Sequence, residues 1–317
     1  MGAANPTNLI EAIRYFADLD VATEFVAKLR WPDGWHCPEC DGTEYTYVST
    51  RRLWKCKACK KQTSVKVGSI FEDSPIPLDK WLASIWVIAN SKNGVSSHEL
   101  ARTVGLTQKS AWFVLHRIRL AMQTGSFERF DGEVEVDETF VGGKKKNMHK
   151  HVAAQKFAAN PSGGDPSTAK VVVGGTMQRG DGVRTSSKVI AQVLPDTRRA
   201  TMHAHVRDTA VEGSTLYTDA MLSYKGLDES YDHSRVDHAT EYVNGRVHTN
   251  GIENFWSLLK RGLHGTYVSV SPMHLFRFID ERVFTFNHRD LTDLGRFTMV
   301  LNNVAGRRLT WRELTSS

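Results

Sequence analysis

The stretch CPECDGTEYTYVSTRRLWKCKAC, residues 37–59, contains all four cysteines of the chain. They form two C-x2-C pairs, Cys37 with Cys40 and Cys56 with Cys59, separated by fifteen residues. Two such turns can direct four sulfur atoms at one point, and this tetrahedral arrangement suits Zn²⁺ with Zn–S bonds of about 2.3 Å. The alternative, a pair of disulfide bonds, is typical of secreted domains. We therefore expect a structural zinc ribbon, with strands formed by the β-branched and aromatic residues between the two pairs.

The overall composition indicates a globular protein with more than one domain. Of 317 residues, 40% are hydrophobic and 24% are charged, which is too apolar for a disordered chain. No apolar stretch approaches the ~18 residues of a membrane helix, and the N-terminus lacks the basic-then-apolar profile of a secretory signal. We therefore expect a cytoplasmic protein without a membrane partner. The net charge of +6 favours a polyanionic partner, depending on how the charge is distributed.

Positive charge concentrates in the second half of the expected ribbon. Residues 51–70 contain seven basic side chains and no acidic one. Such a run is often a solvated face, but on a small zinc ribbon it also suits contacts with a nucleic-acid backbone. The candidates for these contacts are Arg51, Arg52, Lys57, Lys60 and Lys61.

A helix-turn-helix pattern follows the ribbon. Ser96 or Ser97 can cap a short helix, the sequence Val-Gly-Leu at 104–106 can form a tight turn, and Thr107 can cap a second helix. A recognition helix presents its first residues to base edges, which here are Gln108, Lys109 and Ser110. The alternative is a helical hairpin that only packs. Beside a basic ribbon, we favour DNA binding.

Four segments emerge from these patterns. We expect an N-terminal helical segment at 1–30, the zinc ribbon at 31–66, the helix-turn-helix region at 75–127 and a mixed α/β domain at 131–315. In the last segment, the pattern predicts strands at 132–141, about 170–177, about 184–193 and 214–218, and a helix over 250–262.

Three acids stand on separate elements of this α/β domain. Asp137 and Asp219 lie at or near strand ends, and Glu253 shares one face of the expected helix with Asn250 and Lys260. Three such carboxylates can hold two Mg²⁺ ions about 3.5–4 Å apart, as phosphodiester cleavage and strand transfer require. Spaced acids also occur by chance, so surface or capping roles remain the alternative.

Four stretches together resemble bacterial insertion-sequence transposases of the DDE superfamily that carry a zinc ribbon. They are GSIFEDSPIPLDKW (68–81), VDETFVGGKKKNMHK (136–150), LYTDAMLSY (216–224) and HTNGIENFWSLLKRGLHGTY (248–267). The resemblance implies a multidomain fold in which residues 131–315 form an RNase H-like catalytic domain. It also implies a bacterial, nucleoid-associated enzyme that forms a homo-oligomer on double-stranded DNA, binding element ends and target.

The resemblance assigns roles to individual residues. Asp137 and Asp219 match the first two catalytic acids, while Glu253 or Asn250 matches the third position, where we favour Glu253 because a carboxylate binds Mg²⁺ better than an amide. Lys260 matches a basic residue used near the DNA strand. Three lysines follow the first acid in an expected loop: Lys144, Lys145 and Lys146. They either form a solvated surface or, as we expect, contact substrate DNA. A non-catalytic DNA-binding regulator and a metal-dependent nuclease without strand transfer are the competing functions.

Overall fold

The computed structural model describes residues 5–123, 128–142, 170–182, 185–236 and 247–316. The chain forms two compact units, Met1–Thr124 with His288–Ser317, and Gly125–Asn287. The prediction of one domain over 131–315 therefore differs from the structure, which groups the last thirty residues with the first unit. Among the described residues, no helix combines the length and apolar character that a bilayer crossing requires.

The first unit begins with two short helices where the sequence predicts one helical segment. Helix α1 spans Leu9–Phe16 and helix α2 spans Leu19–Arg30. The break follows from local capping, because the Asp18 side chain accepts a hydrogen bond from the Asp20 backbone N–H and starts a new helix.

Three antiparallel strands form the ribbon in the order β1-β2-β3: Tyr45–Val48, Leu53–Cys56 and Gln62–Thr63. The register places Tyr47 opposite Trp54. Helix α3 (Leu78–Asn90) follows and buries Trp81 and Trp86.

The two helices of the predicted helix-turn-helix region are present. They are α4 (Ser97–Val104) and α5 (Gln108–Met122), and Ser96 and Thr107 cap them by accepting hydrogen bonds from backbone N–H groups. Between them, Gly105 adopts a φ of 64°, a left-handed conformation that suits glycine.

The second unit is built on a five-stranded mixed sheet. Its strands are β4 (Glu133–Val141), β5 (Val171–Gln178), β6 (Lys188–Leu194), β7 (Thr215–Asp219) and β8 (Asp232–Val236). They lie in the order β6-β5-β4-β7-β8. Strands β4, β5 and β6 pair antiparallel, whereas β4, β7 and β8 pair parallel. Four of these strands lie within a few residues of their predicted positions, whereas β8 was not predicted.

Helices cover both faces of this sheet. On one face, α6 (Arg199–Thr209) packs against an apolar cluster that includes Val134, Val136 and Leu216. On the other face, α7 (Asn250–Gly265) and α8 (Leu275–Asn287) cover a cluster that includes Val173 and Met177. The unit is therefore a three-layer α/β structure, with successive residues of β4 directed to opposite layers.

The C-terminal residues complete the core of the first unit. They form helix α9 (Asp293–Asn302) and the short helix α10 (Trp311–Thr315). The ring of Phe297 lies 5.0–6.2 Å from the rings of Phe16, Phe25 and Trp86, and Phe297 is fully buried. This aromatic packing explains why residues after 287 belong with the N-terminal helices.

Candidate functional site

The four cysteine sulfurs form a compact cluster. All four lie within 4.8 Å of one another, with Cys37 Sγ 3.5 Å from Cys59 Sγ and Cys40 Sγ 3.6 Å from Cys56 Sγ. A tetrahedral zinc site with Zn–S bonds of about 2.3 Å has sulfur–sulfur edges of about 3.8 Å. A disulfide bond would require about 2.05 Å. The cluster therefore fits a structural zinc ion, and the four cysteines are free thiols rather than disulfide partners.

Both halves of the cluster use the same tight turn. Asp41 and Lys60, each directly after the second cysteine of a pair, adopt left-handed φ angles of 58° and 65°. Their backbone N–H groups donate to the carbonyl oxygens of Cys37 and Cys56 at 2.9 and 3.2 Å. This repeated geometry directs the thiols of each pair to the same side.

The basic run of the ribbon is partly paired with acids from neighbouring segments. Arg52 Nε lies 2.7 Å from Asp20 Oδ1, and the ammonium groups of Lys57 and Lys61 each lie 3.4 Å from a glutamate carboxylate. Arg51 and Lys60 are exposed and bond to Gln62 and to a backbone carbonyl. Exposed ion pairs contribute only about 0–1 kcal/mol, so a phosphate can displace them.

The start of helix α5 is accessible, but its polar side chains already have partners. Gln108 Nε2 donates to Ser97 Oγ at 2.8 Å, and the Lys109 ammonium lies 4.6 Å from the centre of the Trp311 ring. Ser110 Oγ accepts a hydrogen bond from Thr107 Oγ1. These contacts would have to rearrange for the side chains to reach base edges.

The structure brings the first two acids together. Strands β4 and β7 run parallel, their last pair is Glu135 with Tyr217, and Asp137 and Asp219 each follow that pair by two residues on their own strands. Burial raises the pKa of Asp137 to about 7, and the negative charges of Glu138 and Asp219 add to this effect. The Trp256 indole N–H opposes it by donating to Asp137 Oδ2 at 2.9 Å.

Glu138 is a further acid of this region that the sequence analysis did not propose. As the next residue of β4 it is directed to the opposite layer, where the buried Tyr224 hydroxyl donates to its carboxylate at 2.7 Å. Burial raises the pKa of Glu138, and the charge of Asp219 adds to the rise. The available signal was an acid at an otherwise apolar position of the alternating strand.

Another missed residue, Glu135, anchors the helix that carries the third acid. Its side chain is 2% exposed, and its carboxylate accepts hydrogen bonds from Arg179 Nε at 2.7 Å and from the Ile252 backbone N–H at 2.9 Å. Arg179 Nη2 also donates to the His248 carbonyl at 2.6 Å. A carboxylate at the first turn of a helix is favourable both as a cap and for the helix dipole. Glu135 and Arg179 thereby fix the start of α7 to the sheet.

The third acid does not join the first two at metal-binding distance. Glu253 is exposed, and its carboxylate accepts a hydrogen bond from Thr249 Oγ1 at 2.9 Å. Asn250 is exposed at the start of α7, and Lys260 is partly exposed two turns after Glu253. Within the described ranges, the cysteine cluster is the one group of three or more potential ligands within 4.8 Å. Lys144, Lys145 and Lys146 lie outside the described residues.

Two segments of the chain match domain families of known transposases. Residues 129–287 match the ISXO2-like transposase domain, and residues 19–62 match the transposase zinc-ribbon domain. Because the first match spans half of the chain, the protein belongs to the ISXO2-like transposase family. This confirms the resemblance found in the sequence motifs.

Two curated relatives agree with this family. The chain is 26% identical over 262 residues to an uncharacterized protein in transposable element ISH50 of Halobacterium salinarum, covering 79% of this chain and 85% of the relative. It is 31% identical over 105 residues to an uncharacterized transposase-like protein of Haemophilus influenzae, covering 33% of this chain and 85% of that protein. No solved structure matches the chain significantly.

Proposed function

We propose that the protein binds the ends of a mobile DNA element and uses Mg²⁺ to cleave and join DNA. The observation that carries this proposal is the pair of neighbouring aspartates, Asp137 and Asp219, in surroundings that raise the pKa of Asp137 to about 7. Buried carboxylates that repel one another are stabilised by a bound divalent cation. Perturbed acids of this kind are characteristic of functional sites.

The sheet of the second unit supports an RNase H-like catalytic domain. Numbered within the sheet, its strands lie in the order 3-2-1-4-5, with antiparallel pairs on one side and parallel pairs on the other. A mixed sheet covered by helices on both faces is compatible with the RNase H-like domain that the sequence resemblance implies. The two aspartates would occupy its central strand β4 and the adjacent strand β7, and the third acid, Glu253 on α7, would have to move to join them on metal binding.

The residues that would hold Mg²⁺ are Asp137, Asp219 and Glu253. When bound, the ions would activate the attacking oxygen and stabilise the leaving oxygen of the phosphodiester. The chain's own residues prepare this site: Trp256 holds one oxygen of Asp137, and Thr249 orients Glu253. Lys260, on the same helix as Glu253, would contact the DNA strand as a cation.

The first unit would supply DNA binding. Arg51, Arg52 and the ribbon lysines would contact phosphates, so affinity should fall steeply with salt. Gln108, Lys109 and Ser110 would read base edges after leaving their present partners. Two copies of the protein would hold the two element ends, which makes a homo-oligomer on DNA part of the proposal.

The decisive experiment measures nicking of a labelled element end in Mg²⁺ by the full-length protein. Asp137→Asn and Asp219→Asn should reduce nicking by at least about 100-fold, because each removes a charge that the cations need. DNA binding should stay near wild type. Asp208→Asn, which alters an exposed acid on α6 of the same unit, is the matched control and should cut normally.

The third position needs a direct comparison. If Glu253 is the ligand, Glu253→Gln should lose far more nicking than Asn250→Ala, with Glu229→Gln as an exposed control. A larger loss for Asn250→Ala would assign the role to the amide instead. Nicked products without joined products would favour a nuclease, and cleavage that survives all three acid substitutions would refute the proposal.

A further inference from the structure

A groove of about 520 Å³ is lined by helix α2 and the β1–β2 hairpin of the ribbon. Its volume falls within the range of about 300–1,000 Å³ typical of small-ligand sites. Five aromatic side chains line it: Trp31, Trp35, Tyr45, Tyr47 and Trp54. The groove belongs to neither the cysteine cluster nor the aspartate pair.

The aromatic rings form a pre-arranged stacking surface. The Trp54 ring lies 5.0 Å from the Trp31 ring and 4.9 Å from the Tyr47 ring, centre to centre. Tyr45 and Tyr47 point to the same side of strand β1 and are 42% and 41% exposed. Aromatic rings that remain this exposed can stack on a flat ligand without unfolding the ribbon.

The charges around the groove distinguish between two kinds of occupant. Aromatic grooves with acids often hold a cation. Here, however, Glu24 is paired with Lys28 at 2.7 Å and Asp20 is paired with Arg52 at 2.7 Å. Because each carboxylate is already neutralised, the groove favours a flat, uncharged heterocycle over a free cation.

The turn beside the groove carries two exposed or partly exposed arginines, of which Arg51 donates to Gln62 and Arg52 is paired with Asp20. Ser49 lines the groove, and Arg51 and Arg52 follow in the turn between β1 and β2. A heterocycle that carries an anionic group on one side would fit this arrangement. We propose that the groove binds an unpaired nucleobase of single-stranded DNA, with the adjoining phosphate at Arg51, while Arg52 stays paired with Asp20. This rests on the proposed function, since it names a DNA feature that the ribbon recognises.

The test uses the full-length zinc-loaded protein and a fluorescein-labelled strand of twelve thymidines, with affinity measured by anisotropy. Tyr47→Ala should weaken binding about 5- to 140-fold, because base stacking on an aromatic side chain contributes about 1–3 kcal/mol at 1.4 kcal/mol per tenfold. Tyr47→Phe, which keeps the ring, should bind within about twofold of wild type.

An abasic strand of the same length separates stacking from charge. Tyr47→Ala should leave its binding unchanged, whereas Arg51→Ala should weaken both strands and reduce the salt dependence. Zinc content and melting temperature serve as folding controls. If Tyr47→Ala does not fold, Tyr45→Ala replaces it in the same assay.

Three outcomes would overturn the inference. One is equal affinity of wild type and Tyr47→Ala for the thymidine strand, and another is an equal loss on both strands. The third is a saturable quenching of tryptophan fluorescence by tetramethylammonium that is lost in Tyr47→Ala, although the variant keeps its affinity for the strand. This result would assign the groove to a cation. Normal DNA cleavage alongside any of these would leave the proposed function intact, whereas a wild-type protein that binds no DNA would refute both.

Discussion

Replacing Asp137 with asparagine should stabilise the metal-free protein while it removes DNA cleavage. The Asp137 carboxyl is largely buried and lies near the charges of Glu138 and Asp219. Burial first, and then these charges, raise its pKa from 3.8 to about 7. Asparagine has nearly the same shape, and its carbonyl oxygen can accept the Trp256 indole N–H as the aspartate does. The substitution therefore removes a repelling charge and keeps the hydrogen bond.

The pKa gives the sign and the size of this effect. Because the folded-state pKa lies above the unfolded value, the wild type loses stability as pH rises from about 4 to about 7, and the loss is constant above that. At 1.4 kcal/mol per pH unit, the upper bound on this loss of folding free energy is about 4 kcal/mol. Partial solvation of the site reduces this, and we expect the advantage of the variant to grow by about 1–2 kcal/mol between pH 5 and pH 8.

Thermal unfolding at pH 5, 6, 7 and 8 without divalent cations measures this advantage. For a unit of this size, about 1–2 kcal/mol corresponds to a melting temperature about 2–8 °C higher. Mg²⁺ should narrow the gap by stabilising the wild type alone, and Asp208→Asn should show no such pH dependence. A variant that melts at or below the wild type at pH 8, or a gap that does not change with pH, would refute the reasoning.

Three further outcomes follow from the structure. Purified protein should contain one zinc per chain, and Cys40→Ser or a strong chelator should expose the ribbon amides to hydrogen exchange; mass spectrometry showing two disulfides instead would contradict the site. Glu135→Gln should lower stability by about 3 kcal/mol because it leaves the buried Arg179 without its carboxylate, and the double variant with Arg179→Met should recover part of the loss; an unchanged melting temperature in the single variant would show that the pair does not anchor α7. In Gly175→Ala the added Cβ would lie 2.5 Å from Trp256, so the indole must move, and both nicking and tryptophan fluorescence should change; wild-type behaviour in both would contradict the packing described.

Local patterns predicted the parts of the fold that depend on neighbouring residues. The paired cysteines indicated the cysteine cluster, β4 lies within one residue of its predicted bounds, and Ser96 and Thr107 cap the helices as expected. In these cases the two-residue repeat of a strand, a capping side chain or a fixed ligand spacing determines the structure directly.

The features that the sequence analysis missed depend on distant partners. Phe297 packs on Phe16 and Trp86, so the C-terminal helices join the first unit, although nothing near residue 297 indicates this. Glu135 becomes an anchor because Arg179 and the start of α7 reach it across the sheet. Arg117 of α5 is likewise buried through distant partners, since it donates to the carbonyl oxygens of Ile70 and Leu309.

The most direct test of the central claim is an anomalous difference map from crystals of the protein soaked in Mn²⁺, which substitutes for Mg²⁺. We expect a manganese peak coordinated by Asp137 and Asp219, with zinc at the four cysteines. Asp137→Asn crystals should lose the manganese peak and keep the zinc. A map with zinc at the cysteines and no manganese at the two aspartates, at millimolar Mn²⁺ and neutral pH, would refute the metal site.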